Sequence, residues 1–305
     1  MSILIDPPRW PAHGTVFAHL VSDTSLEELH QFAAQQEISP RAFDKDHYDV
    51  PAERYEQFVQ AGAKEVTGGE LVRALIASGL RIPAKYRPEK LNAILRRRWS
   101  RTLPTEPRLG QELLEMWSQD HRYYHDRVHL LSVLEAVDRL GEKLSPGELL
   151  LVQLAAWFHD AVYEGTSEDE FKSAVLARER LDGVLTPAAV GAISDLILLT
   201  AGHNPGETDR LGRILCDADL EVLARPEPAY QRYAHAIYQE YAHLPRHVLA
   251  EGRSKILSAL LAKVSIYATA AGRERWESVC ANQLGSRAGT SAALDALARI
   301  RGVNC

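Results

Sequence analysis

Cysteine is scarce: the 305 residues hold three, Cys216, Cys280 and Cys305, and no C-x-x-C pair. A sparse, odd count in a chain this long argues for reduced thiols, buried or terminal, and for a cytoplasmic location. Long apolar runs are missing too. None approaches the roughly 18 residues of a membrane helix, and the opening MSILIDPPRWP lacks the basic segment and apolar stretch of a signal peptide. No membrane partner is therefore expected. An excess of positive charge is also missing. At a net charge of −6 there is no global field toward nucleic acid or an anionic membrane. A glycine-rich phosphate loop is absent, Gly68-Gly69 alone being a weak signal, as are internal repeats and low-complexity tracts. What remains is 46% apolar and 25% charged, ordinary for a globular chain and long enough for two cores.

The first third reads as α/β. Ile3-Leu4-Ile5 is a short apolar run stopped by Asp6-Pro7-Pro8, as at a strand end. Ser25, with Glu28 three residues on, opens an amphipathic helix carrying Leu26, Leu29 and Phe32. Further helices are expected from Pro51 and from Gly69-Glu70. A loop is expected to gather Asp44, Asp46, His47, Tyr48 and Asp49. Prolines 83, 88, 104 and 107 punctuate the next stretch, which places a boundary near residue 88: a small α/β domain over 1–88 and an all-α domain over 89–305. Arg96, Arg97 and Arg98 fall just inside the second. They suit phosphate or nucleic-acid contact, but a solvated helix face is the preferred reading.

After Gln111 almost every segment has helical period. Residues 149–158 are nearly all apolar, so that helix is expected at the centre. Residues 254–271 read as one long amphipathic helix ending at Gly272. The absence of strand alternation gives an α+β two-domain chain whose second part is all-α.

Three segments of that part carry chemistry. His121, His125 and His129 stand at i, i+4 and i+8, one face if the segment is helical. Trp157-Phe158-His159-Asp160 ends an apolar helix in two ligand-type residues. Cys216-Asp217-Ala218-Asp219-Leu220 sets acids in an apolar segment. Singly, each has a structural reading: a satisfied helix histidine, a helix-end aspartate, or an N-cap. Jointly, Asp and His in apolar surroundings are costly unless paired or bound to a cation, and three such segments point to one shared cation.

The order H…HD…D is the point of resemblance. From about Trp99 to Leu284 the chain resembles the HD superfamily of metal-dependent phosphohydrolases, in its predicted bacterial hydrolase branch. The resembling stretches are Tyr124-His125-Asp126-Arg127-Val128-His129, Trp157-Phe158-His159-Asp160-Ala161-Val162-Tyr163, Asp169-Glu170 with Ser173-Ala174, Leu199-Thr200 with His203, and Asp217-Ala218-Asp219-Leu220. The resemblance implies metal ligands His129, His159, Asp160 and Asp219, with Asp217 as the fallback for the last. Asp126 departs from the Asn often found after the first His of this branch, a change expected to touch only hydrogen bonding around the ligands.

Two imidazoles and two carboxylates suit one or two divalent ions, Mn, Fe, Co, Ni, Zn or, less well, Mg. Such an ion lowers a water's pKa and polarises phosphorus. Asp160 is expected to bridge two ions or orient the water. His125 and His203 are the extra ligands for a second ion, or donors to the leaving phosphate. Among Glu164, Glu168 and Glu170, motif position favours Glu170 as general base. Arg253 and Lys263 could meet a substrate phosphate, though surface solvation is preferred.

Residues 1 to about 83 resemble a bacterial family of small domains without assigned function, DUF4031. The stretches are Leu4-Ile5-Asp6-Pro7-Pro8-Arg9-Trp10-Pro11-Ala12-His13-Gly14, His19-Leu20-Val21-Ser22-Asp23, and Arg41-Ala42-Phe43-Asp44 through Asp46-His47-Tyr48-Asp49-Val50-Pro51. Asp6, Arg9, Trp10, His13 and His19, with the 44–49 cluster, leave a second polar or metal site open beside a plain loop network. The expected function is hydrolysis of a phosphate ester or anhydride, with a nucleotide as the substrate class by family analogy. The rivals are a non-catalytic metal and nucleotide sensor, an HD-type di-iron oxygenase, and a nucleic-acid partner at residues 96–98. An oligomer is left open.

Overall fold

The computed structural model describes residues 2–12, 14–44 and 46–288; His13 and Cys305 lie outside them. The chain divides into two compact units, residues 1–87 and, in the main, the residues from Pro88 onward.

The first unit is built on a mixed sheet. Strands β1 (Ile3–Ile5), β2 (Trp10–Ala12), β3 (Thr15–Ser22), β4 (Phe43–Asp44), β5 (His47–Pro51) and β6 (Lys64–Glu65) run in the order β4-β5-β3-β1-β6, with β2 hairpinned onto β3. The pleat sends alternate residues to opposite faces. Ile3 and Ile5 join Leu20, Leu29, Val50 and Phe58 in one core, under helices α1 (Leu26–Gln35) and α2 (Tyr55–Gln60). Leu4 and Val21 join Leu71 and Leu75 of α3 (Gly68–Ala77) in another. Covering both faces makes β1 apolar throughout, and each fully buried Leu or Ile contributes roughly 1.5–3 kcal/mol. Ser25 caps α1 by accepting the Glu28 amide, as its spacing predicts. Thr67 and Glu70 form a reciprocal capping box on α3. The expected 44–49 loop is instead mostly strand: Tyr48 and Val50 point into the core, so His47 and Asp49 must share the other face of β5.

In the second unit every described element is helical. They are α4 (Pro88–Thr102), α5 (Pro107–Met116), α6 (Arg127–Leu140), α7 (Pro146–Phe158), α8 (Asp169–Leu181), α9 (Pro187–Thr200), α10 (Arg210–Asp219), α11 (Glu227–Glu240), α12 (Arg246–Leu261) and a last stretch that passes a π turn into Ser278–Ala288. A capping box of Ser145 and Glu148, with Pro146 at the first position, starts α7. Its residues Leu154 to Phe158 are fully buried, as the apolar run predicts for a central helix. Helices α6, α7 and α10 pack on one another.

Two segments differ from the sequence expectation. Residues 121–126 are turns, not helix; α6 begins at Arg127 because Asp126 is its N-cap, accepting the Val128 and His129 amides. His121, His125 and His129 therefore do not share a helix face. The expected helix over 254–271 stops at Leu261. There Glu277 accepts the Ile266 and Tyr267 amides and Asp217 the Ala268 and Thr269 amides, so side chains replace the helical ladder. Arg96 and Arg97 lie exposed on α4, and Arg98 pairs with Asp138 at 2.7 Å.

Candidate metal centre

Helix ends assemble the site. His129 comes from the first turn of α6, His159 and Asp160 from the C-terminal end of α7, and Asp219 from the last residue of α10. Two C-termini and one N-terminus meet there, so the helix dipoles partly offset and the carboxylates are what favour a cation. His129 and His159 are buried, and their Nε2 atoms lie 3.2 Å apart. Asp219 Oδ1 stands 3.1 Å from His129 Nε2 and 3.6 Å from His159 Nε2. Asp160 Oδ2 stands 3.2 Å from His159 Nε2 and 3.8 Å from His129 Nε2. His159 Nδ1 donates to the Ala156 carbonyl at 2.9 Å, so its Nε2 is left to face the carboxylates. His129, His159 and Asp219 form one of two donor groups of metal-binding geometry among the described residues.

The other residues expected at the site fall around this core. His203, at a positive φ of 49°, reaches Asp219 Oδ2 at 2.8 Å. His125 Nε2 lies 3.9 Å from Asp160 Oδ2. Glu170, half-buried on α8, has its carboxyl raised by burial and by the charges of Asp160, Asp169 and Asp219. Glu164 pairs instead with Lys172, and Glu168 is exposed. Asp217, the fallback ligand, faces away: its oxygens accept the Ala268 and Thr269 amides and the Thr269 hydroxyl. Lys263 donates to the His203 carbonyl at 2.8 Å. Arg253 is half-buried rather than fully solvated; its guanidinium sits over Tyr233 and donates to the Tyr230 hydroxyl. Tyr233 packs against Tyr124, whose ring lies 4.6 Å from His129.

Charge in the site is strongly coupled. Burial pushes Asp219 upward, but hydrogen bonds from His129, His159 and His203 outweigh it and hold the carboxyl well below the usual range. Asp160 is likewise lowered, burial being outweighed by the His159 charge and hydrogen bond. Burial lowers His129. It also opposes charge on His159, yet Asp160 and Asp219 prevail and raise it. The pocket thus demands positive charge. In its absence a proton on imidazole supplies it.

Two positioning residues escape the sequence reading. Arg122, buried, donates to the carbonyls of His125, Asp160 and Ala161, fixing the turn that carries Asp160. Glu240 of α11 accepts the amides of Tyr123, Tyr124 and His125 on one oxygen. Its other oxygen meets His125 Nδ1 at 2.7 Å and the Tyr163 hydroxyl at 3.0 Å. Burial raises Glu240, but His125 and these amides outweigh it and bring the carboxyl from 4.5 to about 2. Because the folded value is the lower, its stabilisation is complete above pH 4.5 and lost as pH falls toward 2, a contribution of roughly 3 kcal/mol. The protection of the Tyr123, Tyr124 and His125 amides, taken relative to their intrinsic exchange at each pH, is expected to fall through that window. In Glu240→Ala, which removes the acceptor, that protection should be lost already at neutral pH. Unchanged protection in the variant would refute the pinning role.

A family model described as a protein of unknown function, DUF4031, matches residues 3–78, which cover the sheet and α1 to α3. No curated protein and no solved structure matches the chain. Among the described residues, no helix is long and apolar enough to cross a membrane.

Proposed function

We propose that the helical unit is a metal-dependent phosphohydrolase of the HD type, acting on a phosphate ester or anhydride, with a nucleotide as the substrate class. The observation that carries this reading is the convergence of His129, His159, Asp160 and Asp219 from the ends of three packed helices. The donor set fits a divalent ion: two buried imidazole nitrogens 3.2 Å apart, each beside a carboxylate oxygen at 3.1 or 3.2 Å, are the ligand types and spacing such an ion takes, and without it an N–H···N hydrogen bond holds the two rings together. Bound there, such an ion supplies a water of lowered pKa and a polarised phosphoryl group. The chain's own residues do the rest. Asp160, held by Arg122 through its backbone, orients the water. Glu170, its carboxyl raised, takes up a proton. Arg253 offers a cation to a substrate phosphate.

His203 and His125 extend the donor set beyond Asp219 and Asp160, which favours a second ion and keeps one rival reading, a di-iron oxygenase. The discriminating experiment is a turnover screen over nucleoside mono-, di- and triphosphates, cyclic nucleotides and an aryl phosphate. It is run with Mn, Fe, Co, Ni, Zn and Mg, beside Asp160→Ala. Metal-dependent phosphate release, lost at least about 100-fold in the variant, is expected. Oxygen consumption by iron-loaded protein without phosphate release would replace this reading with the oxygenase. Metal binding with neither activity would leave a sensor.

A further inference from the structure

The second donor group lies in the α/β unit and comprises His19, His47 and Asp49, its ligand atoms all within 4.8 Å of one another. Sheet geometry produces it. His19 of β3 is the registered partner of Asp49 on β5, and His47 precedes Asp49 by two residues. All three side chains therefore leave the same face of neighbouring strands, the face opposite Leu20, Tyr48 and Val50. His47 Nε2 lies 3.5 Å and His19 Nε2 3.9 Å from Asp49 Oδ1. Bonds of about 2.0–2.2 Å to one ion would place donors roughly 3–3.5 Å apart, so a small closure completes the set.

What distinguishes this trio from a chance cluster is the layer behind it. Each histidine has its other nitrogen held by its own buried carboxylate. Asp6 Oδ2 takes His19 Nδ1 at 3.1 Å, and Asp46 Oδ1 takes His47 Nδ1 at 2.6 Å, with side-chain exposures of 3% and 1%. Asp6 is fixed in turn by the His19 amide and the Trp10 indole, and Asp46 by the Ile82 amide. An ionised carboxylate only accepts, so both Nδ1 atoms carry hydrogen. With Nδ1 so occupied, Nε2 is the ring atom that each histidine turns toward Asp49, and it offers a lone pair there whenever the ring is neutral. Two ring nitrogens and a carboxylate facing one point form a site for positive charge, which a metal ion fills in place of a proton. Carboxylates behind ligating histidines are the usual means of orienting them and raising their basicity. A cavity of about 370 Å³ opens on the trio, with Trp10, Arg81 and Arg87 on its wall.

We infer that the α/β unit binds one divalent transition-metal ion through His19, His47 and Asp49, with Asp6 and Asp46 as positioning residues. Two imidazoles and one carboxylate suit Zn, Fe(II), Co, Ni or Mn and leave coordination positions for water or a ligand from the cavity. It shares no residue with the donor group of the helical unit.

Co(II) alone is the probe, read by its visible d–d absorption and by metal content per chain after desalting. The full-length His129→Ala/His159→Ala chain is expected to retain one equivalent. Adding His47→Ala should abolish it, and adding Asp46→Asn should weaken it about 10–100-fold. In the otherwise unaltered chain, His47→Ala should lose one equivalent, which keeps the test valid if the double variant does not fold. A folded double variant that holds no Co(II) would overturn the inference, as would a His47→Ala chain with unchanged stoichiometry.

Discussion

Replacing His159 with alanine is expected to strip metal from the helical unit, lowering its affinity by at least about 100-fold. Even residues that only orient a metal ligand cost about 10–100-fold when removed, and His159 supplies an atom that faces both carboxylates directly. The change also sets the Asp160 and Asp219 carboxylates near one another with only His129 between them, so protons should take the place of the lost charge. The signal is available inside the chain. The buried Trp117 ring packs 5.5 Å from His159 and 6.2 Å from His129, and Co(II) or Ni(II) bound there should quench its fluorescence. With the α/β site silenced by His47→Ala throughout, because Trp10 lies beside it, titration of the chain should show that quench and adding His159→Ala should lose it. His203→Ala, which touches only the outer oxygen of Asp219, should shift the titration far less. Full quenching with unchanged midpoint in His159→Ala would remove the ligand assignment and, with it, the hydrolase reading.

Much of this arrangement was legible because it is local. The serine and threonine caps with glutamate three residues on announce α1, α3 and α7, and the apolar run before His159 announces a central helix that ends in two polar residues. The order of His129, His159-Asp160 and Asp219 is visible for the same reason: each is a polar intrusion into an apolar segment. The strand carrying His47 and Asp49 had a signal too, in the alternation of Tyr48 and Val50 with polar neighbours, but its acidic composition reads first as a loop.

What was not legible acts over distance. Glu240 sits on a polar helix far along the chain, and nothing in its neighbourhood marks it as the anchor of the turn before α6. No glycine or proline breaks the segment after Leu261; the break is made by carboxylates from Asp217 and Glu277 competing for its amides. Asp126 was the nearest miss, since aspartate before a helical run is a preferred N-cap, and reading it so would have removed His121 and His125 from the helix face.

Asp217 and Asp219, two residues apart, should fail in different ways when each is changed to alanine. Asp217 is buried, with Oδ1 on the Ala268 amide at 2.6 Å and Oδ2 on the Thr269 amide at 2.8 Å and the Thr269 hydroxyl at 2.6 Å. Its approach depends on Gly272, where a Cβ would collide with Oδ2. Removing the carboxylate leaves two backbone donors without their acceptor, at about 1–3 kcal/mol each, so a loss near 3 kcal/mol is expected. For a unit of this size that lowers the melting temperature by roughly 6–12 °C. Metal stoichiometry should stay intact, because no atom of Asp217 faces the histidines. Asp219→Ala should do otherwise. It removes the oxygen nearest His129 and the partner of His203, so metal is lost; the histidines left unpaired lower the melting temperature of the metal-free chain as well, and it is the response to metal that sets this variant apart. Melting curves recorded with and without excess Mn or Co separate the two effects. The added metal should raise the midpoint of Asp217→Ala and leave that of Asp219→Ala where it was, provided the α/β site is silenced by His47→Ala in both. If the pattern came out crossed, with metal rescuing Asp219→Ala and not Asp217→Ala, the final ligand would be Asp217 and the geometry of α10 in the metal-bound chain would have to differ by a large rotation about its axis.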